Sequence, residues 1–182
     1  MTPVTSPALG TLSWQPAADH PELLGRPVAA AVLQGRVECF VAPIDPALAD
    51  TAAFCAAYAV LLDVSANCVV VVGRRGEDTT MAACLVLATD RADVNKTVRK
   101  HLNVRKISFA SMDDAVSRSG MEYGGITPIG LPAGWPILID TTVAATEWLV
   151  IGSGIRGSKI AIAGAALAAL PNVTTLALAQ RS

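Results

Sequence analysis

The sequence predicts a single domain of the α+β or mixed α/β class, and three observations carry this. The chain has 182 residues, about the size of one domain, with 52% hydrophobic and 16% charged residues, a balance that excludes a disordered or coiled-coil protein. Short apolar runs rich in β-branched residues, bounded by glycine or charged turns, recur along it and read as strands. Amphipathic stretches of helical period lie between them, with no internal repeat or low-complexity segment. That is the pattern of one mixed domain. Eight residues are aromatic while Ala and Val dominate, so the core is expected to be built from small and β-branched side chains. A chain of this length buries roughly 70% of its unfolded surface and needs no disulfide or metal staple.

Taken in order, residues 1 to about 40 are rich in Pro, Ala and Gly, with candidate strands at Val28–Leu33 and Arg36–Val41. From Pro46 to Leu62, Leu48, Ala52, Cys55 or Ala56, and Ala59 recur at helical spacing, and Asp50-Thr51 suits the start of that helix. Asn67–Val72 is a continuous β-branched run, read as a strand buried on both faces. The charged turn Gly73–Asp78 leads to Met81–Ala88 as its hairpin partner. Asp90–Leu102 places Val94, Val98 and Leu102 on one face and Arg91, Lys96, Arg99 and Lys100 on the other, an amphipathic helix with a basic surface. Then follow a strand at Lys106–Ala110, a helix at Met112–Ser119 ended by Gly120, and a loop from Glu122 to Trp135. The remaining expectations are strands at Ile137–Ile139, Trp148–Ile151, Ser158–Ile162 and Val173–Ala179. A helical turn follows the first of these, and a helix at Ala165–Leu170 precedes the last.

Charge and cysteines narrow the function classes. Fourteen basic against fifteen acidic residues leave a net charge of −1, which excludes a strongly basic protein holding duplex DNA by bulk electrostatics. Cys39, Cys55, Cys68 and Cys84 stand far apart in apolar runs, as reduced buried residues of a cytoplasmic protein do. The first basic residue is Arg26, so no signal peptide is expected. Residues 160 to 180 carry no charge, but Gly164, Pro171-Asn172 and Thr174-Thr175 break that stretch, and no membrane association is expected.

Chemistry is expected where glycine is densest. Gly124-Gly125-Ile126-Thr127-Pro128-Ile129-Gly130 and Gly152-Ser153-Gly154-Ile155-Arg156-Gly157 combine conformational freedom, close main-chain access and, in the first, proline stiffness. Such a loop can converge backbone N–H groups on a carbonyl oxygen or oxyanion; it can equally be a tight turn between strands. Gly152-x-Gly154-x-x-Gly157 has dinucleotide spacing, but a strand follows it instead of a helix. Asp140 ends an apolar strand and either caps the next turn or faces a cleft. Arg156 is the cation of the second loop, free to pair with Asp140 or with a phosphate. His20 and His101 lack partners at triad or ligand spacing, so neither a metal site nor a cofactor is expected, and Ser153 and Thr127 lack an activating base.

Three stretches, in order and with matching spacing, carry a family resemblance: Gly120–Gly130, the Ile139-Asp140 pair and Gly152–Gly157. Together they resemble the YbaK / prolyl-tRNA synthetase-associated editing domain family over roughly Ala47 to Leu170. The chain then divides into an N-terminal extension, residues 1–40, packing on a YbaK-like domain at 41–182. The resemblance implies a compact domain with a central mixed β-sheet or partial barrel surrounded by short helices. It also implies a trans-acting aminoacyl-tRNA deacylase acting on the ester at the 3′ acceptor end of a mischarged tRNA.

An activated ester needs only positioning, donors for the developing oxyanion and one water. On this reading Gly124, Gly125 and Thr127 supply donors and Pro128 rigidity, while Asn67 and Asp140 orient ester and water. Ile126, Gly130, Gly152, Ser153, Gly154 and Arg156 bind substrate. Arg74, Arg75, Lys96, Arg99 and Lys100 meet tRNA phosphates. The family usually begins its central strand with Lys-Thr; Asn67-Cys68 stand there instead, and Ile155 stands where lysine is common. Asparagine donates and accepts but carries no charge. The alternative is therefore a binding module that keeps the pocket for an aminoacyl or nucleotide group without turnover. The sequence is compatible with a homodimer. Either reading requires a hollow beside Asn67, walled by the main chain of the bend from Tyr123 to Gly130.

Overall fold

The computed structural model describes residues 4–180. A short strand, β1 (Gln15–Pro16), leads through two single helical turns into α1 (Arg26–Leu33). The segment Val28–Leu33 is thus helix, not strand. Pro27 near the start and the run Ala29-Ala30-Ala31 favour it, and Val28, Ala31 and Val32 are buried at helical spacing. The expected strand at Arg36–Val41 begins later, as β2 (Phe40–Pro43). The helical expectation from Pro46 contracts to α2 (Thr51–Tyr58), flanked by two short turns, because Ala59 adopts a left-handed conformation at φ 55° and ends it.

The central hairpin joins β3 (Ala66–Arg75) to β4 (Asp78–Leu87). Its turn is only Gly76-Glu77, with Gly76 at φ 63°, since Gly73, Arg74 and Arg75 stay paired to Thr80, Thr79 and Asp78. Next, the expected helix at Asp90–Leu102 is shortened from its front. Arg91–Ala92 forms β5, the Asp93 N–H donates to the Leu178 carbonyl (2.8 Å), and the Asp93 carboxylate receives Lys96 N–H and the Thr97 hydroxyl. A wide helical turn, Val94–Val98, then runs into α3 (Arg99–His101). Val94 and Val98 are buried and the basic residues point outward, as the pattern requires.

The rest follows in order: β6 (Lys106–Phe109), α4 (Met112–Ser119), β7 (Ile137–Asp140), α5 (Thr141–Ala145), β8 (Leu149–Gly152), β9 (Ser158–Ile162), α6 (Gly164–Ala168), β10 (Val173–Leu176) and β11 (Ala179–Gln180). The uncharged stretch 160–180 thus breaks into four short elements. No helix among the described residues is long and apolar enough to cross a membrane.

Two sheets carry the molecule, one in the order β1-β2-β9-β8 and one in the order β10-β7-β4-β3-β6, with β5 and β11 paired beside them. The second sheet is mixed, since β10, β7 and β4 run parallel while β3 and β6 are antiparallel to their neighbours. Ile137, Ile139, Leu85, Leu149, Ile151, Ile160 and Ile162 fill the space between the sheets, together with Val28 and Val32 of α1. A second core lies under α2 around Phe54, Phe40 and Ala161, and a third under the turn at Val94–Val98. The only contact joining the sheets by pairing among the described residues is the isolated bridge Ser65–Val150.

Two further contacts hold the frame. Asp140, fully buried at the end of β7, caps α5 through the Thr142 N–H (2.9 Å) and hydroxyl, and accepts the N–H groups of Leu178 and Ala179 at 2.8 and 2.9 Å. Burial acts to raise its pKa, but these hydrogen bonds outweigh it and hold the carboxyl at about 2. Elsewhere Gly154, at φ 91°, lies on Gly25, and a Cβ there would stand 2.8 Å from the Gly25 Cα.

Three stability predictions result. Gly154→Ala should cost at least about 2 kcal/mol, because the left-handed backbone and the contact with Gly25 both oppose it. Gly134→Ala, with open space around it, should stay within about 0.5 kcal/mol in the same urea titration. Asp140 ionises more readily folded than unfolded, so its contribution of about 2 kcal/mol is complete above pH 4 and lost as pH falls toward 2. Asp140→Asn should therefore lower stability at pH 7 by about that amount, with the gap to wild type closing in acid.

Candidate active site

The site arises from a strand that loses its neighbour. The outer edge of β3 pairs with β6 only from Val71 onward, and at its start the Ser65–Val150 bridge ties it to β8. Between these points no described strand covers the edge. The gap is a cavity of about 430 Å³, lined by Asn67, Cys68 and Val70 of β3 and by Val150, Ile151 and Gly152 of β8. Phe109 and Ala110 close one side, Tyr123, Gly124 and Ile126 another, and Asp50, Thr51 and Phe54 the third. A hollow beside Asn67 is therefore present, and the bend from Tyr123 contributes to its wall.

The bend is held by main chain lying on main chain. Gly125 N–H donates to Glu122 O (2.9 Å), Gly154 N–H to Gly125 O (2.7 Å), and Glu122 N–H to Gly154 O (2.9 Å). Gly125 and Gly152 have no room for a side chain: a Cβ on Gly125 would meet the Ile155 backbone at 2.7 Å, and one on Gly152 the Gly125 carbonyl oxygen at 2.6 Å. Gly130 packs similarly on Pro27. The two glycine-rich loops are thus one stacked unit, and the Gly125 N–H is already engaged within it.

The other candidates divide by position. Asn67 faces the cavity, and its Oδ1 accepts the Thr51 hydroxyl at 2.6 Å. Arg156 packs over Gly124, donates to Tyr123 O (3.2 Å) and stands 3.8 Å from Asp50, so it sits at the rim. Ser153 is buried, donates to the carbonyls of Ile155 and Ser158 (3.1 Å each) and accepts the Ser158 hydroxyl at 2.7 Å, a clip within its loop. Thr127 is fully buried, and its hydroxyl has no hydrogen-bond partner among the described residues. Thr127, Pro128 and Asp140 do not line the cavity. Cys68 does, but burial and then the nearby Cys84 push its thiol up, so it is no thiolate.

The basic candidates gather on another face. Arg74 and Arg99 line a groove with Arg105, Lys106 and Ser108, continued by Lys96 and Lys100. Arg75 is turned to Asn103. Arg105 and Lys106 escape the sequence reading because they fall at a strand start, outside the amphipathic stretch. β6 connects this groove to the cavity: Lys106 and Ser108 line the one, Phe109 the other.

Lys159 is a cavity-lining charge that the sequence reading missed. It lies in β9, only 7% exposed, lines the cavity and donates to Ala49 O (2.9 Å), with its ammonium 5.2 Å from the Phe54 ring centre. Burial pulls its pKa below the usual lysine range; Arg156 adds to this, while Cys55 and Asp50 oppose it. The available signal was a single charge inside Ser158–Ile162, a strand of otherwise buried residues. The cavity therefore contains an ammonium although Asn67 stands at the start of β3.

The sequence model of the aminoacyl-tRNA editing domain matches residues 45–170, well over half of the chain. The fold superposes on a candidate trans-editing enzyme for prolyl tRNA synthetase with a TM-score of 0.73 at 18% identity, covering 86% of this chain and 97% of that one. A hypothetical protein matches with a TM-score of 0.74 at 13% identity, covering 84% and 99%. A longer candidate signal transduction protein from Marinobacter aquaeolei matches at 0.55 and 15% identity, covering 85% of this chain and 30% of its own. At these identities the structural likenesses establish the fold.

Proposed function

Because the chain belongs to the aminoacyl-tRNA editing domain family, we propose that it is a trans-acting aminoacyl-tRNA deacylase. It hydrolyses the ester of a mischarged tRNA whose 3′ acceptor end enters the cavity beside Asn67. The observation that carries the reading is the cavity itself, opened by the uncovered edge of β3 and walled by a loop too closely stacked to shift. Its volume admits an amino-acid side chain with part of a ribose, and rigidity is what positioning a reacting ester demands.

In this reading water adds to the acyl carbon and the ester C–O bond breaks. The 3′-oxygen leaves with one of the water's protons, the other passes to solvent, and the free amino acid is released as its carboxylate. Gly124, which lines the cavity, faces the developing oxyanion with its main chain, and Ile126 supports the acyl group. Asn67, oriented by Thr51, directs ester and water through its amide N–H groups. Gly125, Pro128, Gly130, Gly152, Ser153 and Gly154 fix the loop stack, Thr127 fills its interior, and Asp140 anchors the frame behind it. Residues 41–182 form the editing unit, and residues 1–40 are an extension packed on it through Gly25 and α1. The groove of Arg74, Arg99, Arg105 and Lys106 carries the acceptor-stem phosphates toward Phe109.

Two experiments test this. Purified protein should accelerate loss of label from at least one tRNA mischarged with Ala, Cys, Ser or Thr, and no acceleration over buffer for any of them refutes the enzyme reading. Arg99→Glu should raise KM for the charged tRNA about tenfold, more at low salt than at high salt, with kcat little changed.

A further inference from the structure

One end of the cavity carries two opposite charges that the loop chemistry does not use. The Lys159 ammonium has three N–H donors, yet its one hydrogen-bond acceptor among the described residues is the neutral Ala49 carbonyl oxygen at 2.9 Å, with the Phe54 ring 5.2 Å away. Burying an ammonium on so little is costly unless an oxygen acceptor arrives. The next residue, Asp50, also lines the cavity. Its side chain does not cap α2, and among the described residues its exposed carboxylate has one long contact, 3.8 Å to Arg156. A buried cation with unfilled donors and a solvent-exposed carboxylate thus border the same cavity.

An α-aminoacyl ester presents the complement of this pair. Its carbonyl oxygen accepts hydrogen bonds and gains negative charge as water adds, and its α-amine is a cation on the neighbouring carbon. We propose that Lys159 and Asp50 form the aminoacyl subsite: Lys159 donates to the acyl carbonyl oxygen and Asp50 accepts the α-ammonium. The cavity then takes esters with a free α-amine and rejects those whose amine is blocked. The acyl side chain is left to the apolar wall of Val70, Ala115 and Ile126. This rests on the deacylase reading for the identity of the substrate, and it supplies from β9 the charge that Asn67 does not supply from β3.

The test titrates the full chain calorimetrically with three ligands: 3′-alanylamino-3′-deoxyadenosine, whose amide resists hydrolysis, its N-acetyl derivative, and adenosine. Wild type should bind the alanyl ligand about tenfold or more tightly than the N-acetyl one. Asp50→Asn should bring the two within about twofold. Lys159→Met should weaken the alanyl ligand about tenfold and leave adenosine unchanged, and Lys159→Arg should recover part of the loss. Equal wild-type affinity for the alanyl and N-acetyl ligands overturns the subsite, and that measurement needs no variant to fold. A Lys159→Met that weakens all three ligands alike overturns the role of Lys159. Failure of wild type to bind any of the three removes the deacylase reading and the subsite with it, an outcome distinct from binding without discrimination.

Discussion

Main chain resting on main chain, with no side chain between, is the constraint on which the site depends. Gly25, Gly125, Gly152 and Gly154 come from three separated stretches of sequence and meet where even one Cβ would fall within 3 Å of a neighbouring backbone atom. Hydrogen bonds through Ser153 O, Gly154 O and Gly125 O lock the same contacts. A rim built this way cannot yield by rotamer change, because no rotamers are present. Its position is therefore as fixed as the sheets beneath it, and the cavity inherits that rigidity. The glycines bring the loops together, and only through that do they shape the cavity wall. α1 and the segment before it take part directly, since Gly25 is one of the four and Val28 closes the core below.

Two buried charges show how saturation separates a structural role from a binding one. Asp140 and Lys159 both lie in strands of otherwise buried residues, and both are withdrawn from water. Asp140 receives main-chain N–H groups from both sides and a hydroxyl, so its charge is neutralised within the frame and its pKa falls. It ties β7 to the chain after β10. Lys159 has, among the described residues, a single neutral acceptor and a ring face, burial lowers its pKa, and it borders the cavity. A charge with its partners in place holds a fold; one left short of partners beside a cavity is suited to a ligand.

The uncovered edge of β3 gives the site its location, and β6 gives it its approach. Because β6 pairs only with the far half of β3, the same strand that leaves the cavity open also lines the basic groove. Phe109 and Tyr123, both more than half exposed, stand at the cavity wall. Most of the basic side chains from Arg74 to Lys106 gather on this one face, although the whole chain is almost neutral. Local charge, not net charge, is what a phosphate backbone meets at distances near the Debye length.

Much of this was determined by the sequence alone. Short-range chemistry suffices for the strands at Asn67–Val72 and Ser158–Ile162, for the helix at Met112–Ser119 with its glycine stop, and for the family-like loops. Their apolar period, caps and glycines act within a few residues of themselves. Where a local signal was balanced, tertiary contacts decided. Val28–Leu33 became helix because one face meets the core between the sheets, and Asp90–Asp93 left its helix because β11 and Leu178 offered partners. Lys159 was illegible for the same reason, since alternation in a strand reads a lone lysine as solvent-facing. Only the placement of α2, whose Phe54 ring lies 5.2 Å from its ammonium, turns it inward and makes it the cation that lines the cavity.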